Sequence, residues 1–314
     1  MGIMKEYPQV YLIDASIYIF QAHFSSFVES YDTDGEELSA LFGFIQFLLQ
    51  FIRRNKPTHI AVAHDQSLFC GFRHTLYPDY KSNRELPDEN LAMQLNGCVE
   101  ICSILGLETF ASKIYEADDI IGTVAKCVRI SNPAAQIVIV SRDKDLAQLL
   151  KSEEDYLWDY NGNRKRYIRD VKEEFGVHPG QFPDYLGLIG DPVDCIPGVS
   201  GVGPVKARIL LKEFKTIEEI YLNLERVGNL EIRGSKGLMK ALIGNKSRAE
   251  LSKKLATIVC DVSNEDEYFG SISFKKLELN RPDKDKFLYF LDQYRFRSSD
   301  KDRLLKLLNY LDRV

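Results

Sequence analysis

Nine carboxylates stand at positions that could serve one chemistry: Asp14, Asp65, Glu116, Asp118, Asp119, Asp143, Asp145, Asp191 and Asp194. Asp14 and Asp65 each close a short apolar run, and Asp143 and Asp145 lie just beyond a third. Asp191 and Asp194 sit in a turn after the apolar helical run Tyr185, Leu186, Leu188 and Ile189, where short acidic side chains can point at a shared ion. Glu116-Ala-Asp118-Asp119 opens the helical stretch Ile120 to Val128; acids in a first turn also cap N–H groups and favour the helix dipole. So many like charges in one cleft repel strongly unless cations hold them. Oxygen ligands with no His or Cys among them suit magnesium or manganese. Two such ions about 4 Å apart can activate a water and stabilise both oxygens of an in-line phosphodiester displacement.

Two further groups bear on a phosphate ligand. Gly201-Val202-Gly203 precedes Pro204-Val205-Lys206. Pro204 suits the first position of a helix, where its missing N–H would have no partner, and the two glycines let backbone N–H groups approach an anion at a helix N-terminus. A Gly/Pro-rich connector between helices is the competing reading. Phe72-Arg73 and Tyr80-Lys81-Ser82-Asn83-Arg84 follow Asp65 within twenty residues. Cations there could neutralise a phosphate while Tyr80 stacks on a base, and a solvated loop explains the same spacing equally well.

The 314-residue chain is 45% hydrophobic, enough for one large or two ordinary domains with a buried core. A net charge of −5 argues against a nucleic-acid binder, but setting the nine carboxylates aside moves it to +4. Six cysteines show no C-x-x-C, and no Cys/His cluster among the five histidines has zinc spacing, so the cysteines read as reduced, mostly buried thiols of a cytoplasmic protein. No leader or membrane anchor is expected: Met1 to Lys5 run straight into a strand, and the most apolar helix, Leu38 to Ile52, is too short to span a bilayer.

The elements that must position these residues alternate between strands and helices. Val10 to Asp14, His59 to Asp65, Leu107 to Ala111 and Ile137 to Ser141 read as strands. Between them, Leu38 to Arg54 carries Leu41, Phe44, Ile45, Leu48, Leu49 and Ile52 at helical spacing, and a long helix runs from about Glu89 to Leu105. This alternation predicts an α/β fold with a mostly parallel sheet, whose ligands bind outside the carboxyl ends of the strands, where Asp14, Asp65 and Asp143 fall. A hairpin around Tyr160-Asn-Gly-Asn163 follows, and from near Asp170 the pattern is helical to the end. The expected division is residues 1–170 and 171–314.

Leu12-Ile-Asp14, Asp65 with Phe72-Arg73, Tyr80-Lys81-x-x-Arg84, Glu116-Ala-Asp-Asp119, Ser141-Arg-Asp-Lys-Asp145 and Gly190-Asp-Pro-Val-Asp-x-Ile-Pro-Gly198 resemble, in order and spacing, the 5′-to-3′ exonuclease and flap endonuclease family, especially the 5′-nuclease domains of bacterial repair polymerases. The resemblance covers nearly the whole chain. It implies a PIN-like nuclease core with a helical arch, followed by a helix-three-turn-helix (helix-hairpin-helix) domain. It further implies that Asp14, Asp65, Glu116, Asp118 and Asp119 surround one metal and Asp143, Asp145, Asp191 and Asp194 the other. Lys81 and Arg84 would stabilise the transition state, with Arg73 and Tyr80 beside the DNA. Gly201, Val202, Gly203, Pro204, Val205 and Lys206 would grip the duplex backbone. The family also holds a potassium ion on main-chain carbonyls, here those of Leu188, Ile189, Pro197, Val199 and Val202. The arch corresponds to the segment between Lys81 and Glu116, a helical excursion with Leu91, Leu95 and Val99 packed only part of the time.

Ala15 stands where a glycine is usual, and no polymerase region follows, which implies a stand-alone enzyme; the expected partner is DNA with 5′ ends, flaps or branches, and the expected state a monomer. The rivals are a structure-specific DNA-binding protein with an inactive core, which missing carboxylates would favour, and a PIN-type ribonuclease, against which the duplex-binding hairpin argues.

Overall fold

Val10, Leu12 and Ile13 belong to a continuous apolar run, as expected of a strand covered on both faces, and they form the middle of a parallel sheet. The computed structural model describes residues 8–67, 70–231, 234–262 and 267–311. The chain divides into two units, one of residues 1–68, 86–142 and 260–314, the other of residues 69–85 and 143–259. These units cut the chain differently from a single boundary at 170, because the last two helices pack on helices Ser39–Asn55 and Glu89–Ile104 of the first unit and the segment around Lys81 packs with the helical part.

In the first unit the strands β1 (Gln9–Asp14), β2 (His59–Asp65), β3 (Glu108–Ser112) and β4 (Gln136–Val140) lie in the order β3-β2-β1-β4, all parallel. Ile13 pairs with Val62 and Val140, and Asp65 pairs with Ser112, so the carboxyl ends of the strands share one edge. Chain order reverses across β1, and Asp14 stands at that switch point. Helix Ser39–Asn55 buries all six residues of the expected stripe, each contributing about 1.5–3 kcal/mol of burial before entropy is counted. It stops at Lys56, which adopts a left-handed conformation (φ 45°) ahead of Pro57. Helix Ala117–Ser131 packs on β1, β2 and β3.

The segment expected to arch does something else. Residues Glu89–Ile104 form one continuous helix, capped where the Asp88 Oδ1 accepts from the Leu91 N–H at 2.8 Å, and it packs against helices Ser39–Asn55 and Lys284–Gln293 of its own unit. Its buried stripe is Leu91, Gln94, Cys98, Ile101 and Cys102, while Leu95 and Val99 are half-buried. Gln94 is wholly buried and fully engaged: Oε1 accepts from the Leu41 N–H, and Nε2 donates to the Glu37 carbonyl and to Asn90. Gly97 leaves room for the Tyr294 ring, whose atoms lie 2.8 Å from where a Cβ would stand. The helix is thus core, and the expectation of a marginally packed arch is corrected.

In the second unit the antiparallel pair β5 (Tyr156–Asp159) and β6 (Arg164–Arg166) forms the expected hairpin, and helix Phe182–Ile189 packs between helices Pro204–Phe214 and Lys246–Ala256. Asp184 is buried there, accepting from the Ile217 N–H at 2.8 Å and pairing with Lys253 at 2.7 Å. Of the six cysteines, Cys98 and Cys102 are buried and Cys70 is exposed. Among the described residues no helix is long and apolar enough to cross a membrane.

Candidate nuclease site

At the carboxyl edge of the parallel sheet, each aspartate is held by a neighbouring hydroxyl. Asp14 is buried, and its Oδ2 accepts from the Ser141 Oγ at 2.8 Å. Asp65 Oδ1 accepts from both the N–H and the Oγ of Ser67, at 2.9 and 2.7 Å. Both serines sit within a few residues of strand ends, a placement the sequence displayed and to which no role was attached. Glu116 and Asp119 are buried and cap each other's backbone at the start of helix Ala117–Ser131, with the Glu116 N–H donating to Asp119 Oδ2 at 3.2 Å. The capping role of these acids is therefore present alongside any metal role, and Asp118 between them is half-buried.

The second unit gathers the other four acids around three cations. Asp143 caps the short turn Lys144–Leu149 by accepting from the Asp145 N–H at 2.9 Å. Asp191 Oδ1 accepts from the Val193 N–H, and its Oδ2 accepts from Lys144 Nζ at 2.6 Å. The same ammonium lies 3.5 Å from Asp145 Oδ1, a buried oxygen that accepts no hydrogen bond among the described residues. Burial, reinforced by Asp143 and then Asp191 and Asp194 and opposed by Lys144, pushes Asp145 up to about 7. Burial disfavours a charged Lys144, yet Asp145 and Asp191 outweigh it and hold the ammonium above its ordinary value.

Asp194 receives the remaining pair. Arg84 donates to its Oδ1 at 2.8 Å, and Lys81 Nζ lies 3.8 Å from its Oδ2. Lys81 adopts a left-handed backbone (φ 52°), unusual for a long side chain, and its N–H donates to the Asp194 carbonyl at 3.1 Å. Asn83 adds a bond to the Val193 carbonyl. The loop of Lys81 and Arg84 is thereby stitched to the loop of Asp191 and Asp194.

Two residues expected beside DNA are placed otherwise. Arg73 is buried, its Nε and Nη2 donating to the Leu255 and Thr257 carbonyls at 2.8 and 2.9 Å, so it closes the C-terminus of helix Lys246–Ala256. Tyr80 is buried too, edge-on to His74 at 5.4 Å and 5.0 Å from Lys81 Nζ. Neither side chain reaches the surface, where a phosphate or a base would be met, so in place of the expected contacts with DNA the structure gives both a structural role.

The glycine-rich hairpin keeps its open face. Asp191 and Ile196 exchange both backbone hydrogen bonds, and Gly190 and Gly198 touch so closely that a Cβ on Gly198 would stand 2.3 Å from the Gly190 nitrogen. By contrast nothing lies within 4 Å of where a Cβ on Gly201 or Gly203 would stand, and Gly203 caps helix Pro204–Phe214. Lys206 folds back to donate to the Gly201 carbonyl at 2.8 Å, and Val205 is exposed. Of the carbonyls expected to hold potassium, Leu188 accepts from the Val199 N–H, Val199 from the Val202 N–H, and Pro197 from Arg248 at 3.4 Å. Each keeps a second lone pair.

Among the described residues no three His, Cys, Asp or Glu side chains are close enough together to hold an ion. The donor chemistry nevertheless fits a hard divalent cation: four carboxylates share one locality of the second unit, one buried oxygen lacks a hydrogen bond, and ammonium and guanidinium groups sit against them.

The family description "5'-3' exonuclease, N-terminal resolvase-like domain" matches residues 9–176, and "5'-3' exonuclease, C-terminal SAM fold" matches residues 177–285. The chain belongs to the 5'-3' exonuclease family. A 5'-3' exonuclease of Buchnera aphidicola subsp. Acyrthosiphon pisum is 32% identical over 262 residues, spanning 83% of this chain and 90% of that protein. DNA polymerase I of Pseudomonas aeruginosa is 37% identical over 262 residues, 82% of this chain but only 28% of the polymerase. The bacteriophage T5 flap endonuclease, solved as a pseudo-enzyme-product complex with DNA and metal ions, has the same fold, with a TM-score of 0.64 at 17% identity over 96% of this chain and 99% of that one. As a member of the 5'-3' exonuclease family the protein is a nuclease, and its mostly parallel sheet core with a helical C-terminal part is the fold of that family.

Proposed function

We propose that this member of the 5'-3' exonuclease family is a magnesium- or manganese-dependent enzyme that hydrolyses DNA phosphodiesters at 5′ ends, flaps and branches by a two-metal mechanism. The observation that carries the reading is the gathering of Lys81 and Arg84 on Asp194, beside Asp143, Asp145 and Asp191. Cations and carboxylates in one locality are what phosphodiester hydrolysis asks for: acids to hold metal, and positive charge to meet the phosphate.

In this reading Asp14, Asp65, Glu116, Asp118 and Asp119 hold one ion and Asp143, Asp145, Asp191 and Asp194 the other. Bound ions would supply a nucleophilic water near neutral pH and offset charge on the phosphate. Ser141 and Ser67 fix the orientation of Asp14 and Asp65. Lys81 and Arg84 exchange Asp194 for the scissile phosphate, and their positive charge stabilises it. Gly201, Val202, Gly203, Pro204, Val205 and Lys206 take the duplex backbone at the N-terminus of helix Pro204–Phe214. The carbonyls of Leu188, Ile189, Pro197, Val199 and Val202 are the proposed seat of a potassium ion. Residues 1–170 would supply the nuclease chemistry together with Asp191 and Asp194, and the helical part from 171 the duplex grip, in a cytoplasmic monomer.

All nine carboxylates are present, which disfavours an inactive DNA-binding protein. The open faces of Gly201 and Gly203 favour a duplex-binding enzyme over a PIN-type ribonuclease. Incubation with a 5′-flap substrate labelled on the flap, with and without magnesium, tests the reading. Magnesium-dependent release of flap fragments is expected. Binding without cleavage would leave the inactive-protein reading, and cleavage confined to RNA the ribonuclease one.

A further inference from the structure

At the opposite edge of the sheet from Asp14 and Asp65, the first unit carries a cleft of about 250 Å³ between the end of helix Ser39–Asn55, the end of helix Glu89–Ile104 and the 279–282 segment. Its apolar floor includes Pro57, Leu105, Leu279 and Pro282. The walls are fixed by backbone: Leu279 N–H donates to Thr58, Asn280 N–H to Gly106 and Asp283 N–H to Ile104, at 2.9, 3.0 and 2.9 Å. Gly106 (φ 78°) lets the Asn280 backbone come so close that a Cβ would stand 2.4 Å from its carbonyl oxygen. A cleft braced in this way is preformed.

Three cations line it: Arg53, Lys56 and Arg281. Among the described residues none of the three pairs with a carboxylate; Arg53 lies over the Tyr310 ring at 5.4 Å, and Lys56 and Arg281 are exposed. The nearby acid Asp283 is committed to capping its own helix and to Lys286. Three cations that pair with no carboxylate among the described residues, set around an apolar floor, stand out on a chain whose net charge is −5. Complementarity then calls for a ligand that is acidic at its rim and apolar at its tip.

We propose that this cleft docks an acidic segment of a partner protein that inserts one apolar side chain. A nucleic-acid backbone matches the cations but not the floor, since phosphates offer nothing to bury against Leu105, Pro57 and Pro282. The cleft precedes β2 and β3, whereas Asp14 and Asp65 close β1 and β2, so the seven residues of β2 separate the two edges by about 20 Å. A partner held there would tether the enzyme without obstructing its carboxylates.

The test is fluorescence anisotropy of the full chain with a short fluorescein-labelled peptide of consecutive aspartates ending in phenylalanine. Saturable binding is expected. Arg281→Glu should weaken it about tenfold or more, the scale of one charge-assisted contact, as should replacing the peptide's phenylalanine by serine. Arg53→Glu should do the same. Arg281 is exposed, so its reversal keeps the fold, and flap cleavage by that variant should proceed at the wild-type rate. A charge-matched Lys236→Glu variant, altered on helix Ser235–Gly244, should bind the peptide normally. Absence of saturable binding, or unchanged binding by Arg281→Glu, would overturn the proposal. Loss of flap-DNA affinity in the same variant would reassign the cleft to nucleic acid.

Discussion

Lys144 Nζ stands 2.6 Å from Asp191 Oδ2 and so occupies an oxygen of a carboxylate that the proposed function assigns to a metal ion. The ammonium screens a crowd of acids that would otherwise repel, since Asp143, Asp145, Asp191 and Asp194 share its surroundings. Lys144→Met should therefore destabilise the metal-free protein by about 1–2 kcal/mol, a modest figure because the lysine side chain is 39% exposed. Added magnesium should then stabilise the variant more than the wild type, since no ammonium competes with it. Thermal denaturation with and without magnesium checks both. Identical melting curves for the two proteins would mean that Lys144 is no counter-ion.

The hairpin offers a pair of glycines with opposite expectations. Gly203 has an ordinary extended φ of −100° and empty space around it, so Gly203→Val should leave stability within about 0.5 kcal/mol. Its affinity for duplex-containing DNA should fall about tenfold, with less effect on short single strands, because the side chain blocks approach of a phosphate. Gly198→Ala should instead destabilise the fold, since its Cβ would meet the Gly190 backbone at a positive φ of 62°. Equal losses on single strands and flaps in Gly203→Val would make the hairpin a mere connector.

Much of this architecture was legible in the sequence, for reasons that can be named. The runs around Leu12, Val62 and Ile139 are apolar without interruption because both faces of their strands are buried, and length with β-branching separates them from helices. Their acids were legible because they end the runs. Arg73 and Tyr80 misled because a cation and an aromatic in a loop look the same whether they face solvent or a helix C-terminus. The arch misled because Leu91, Leu95 and Val99 form a stripe on paper, while the buried stripe runs through Gln94, a polar residue whose three hydrogen bonds reach Glu37, Leu41 and Asn90. Lys144 was in view between two acids, and only the fold reveals that it pairs with Asp191, 47 residues away.

Gln94 supplies the test of that correction. Gln94→Ala should cost about 2–3 kcal/mol, since it strands the Leu41 N–H and the Glu37 carbonyl in the core. In the DNA-free protein, amides of 93–102 should exchange as slowly as those of β1. Rapid exchange there would restore the picture of a marginal arch.

Acid should weaken the first unit through His64. Burial pushes this imidazole down from 6.5 to about 3, so it stays neutral in the fold while the unfolded chain takes up a proton. Its contribution is complete above pH 6.5 and is lost as pH falls toward 3, because protons then favour the unfolded state. Denaturant titrations across that window should show stability declining with acidification, and His64→Gln should flatten the decline. A slope unchanged by the substitution would assign it to other groups.

The central claim is that carboxylates of both sets serve one metal-dependent hydrolysis, and single-turnover cleavage of a labelled 5′ flap by Asp14→Asn and by Asp145→Asn tests it most directly. Each variant should lose at least about 100-fold in rate at ordinary magnesium while binding the flap as well as the wild type or better, because removing a ligand charge damages the metal site yet lessens repulsion of phosphate. Near-wild-type turnover in either variant would contradict the account.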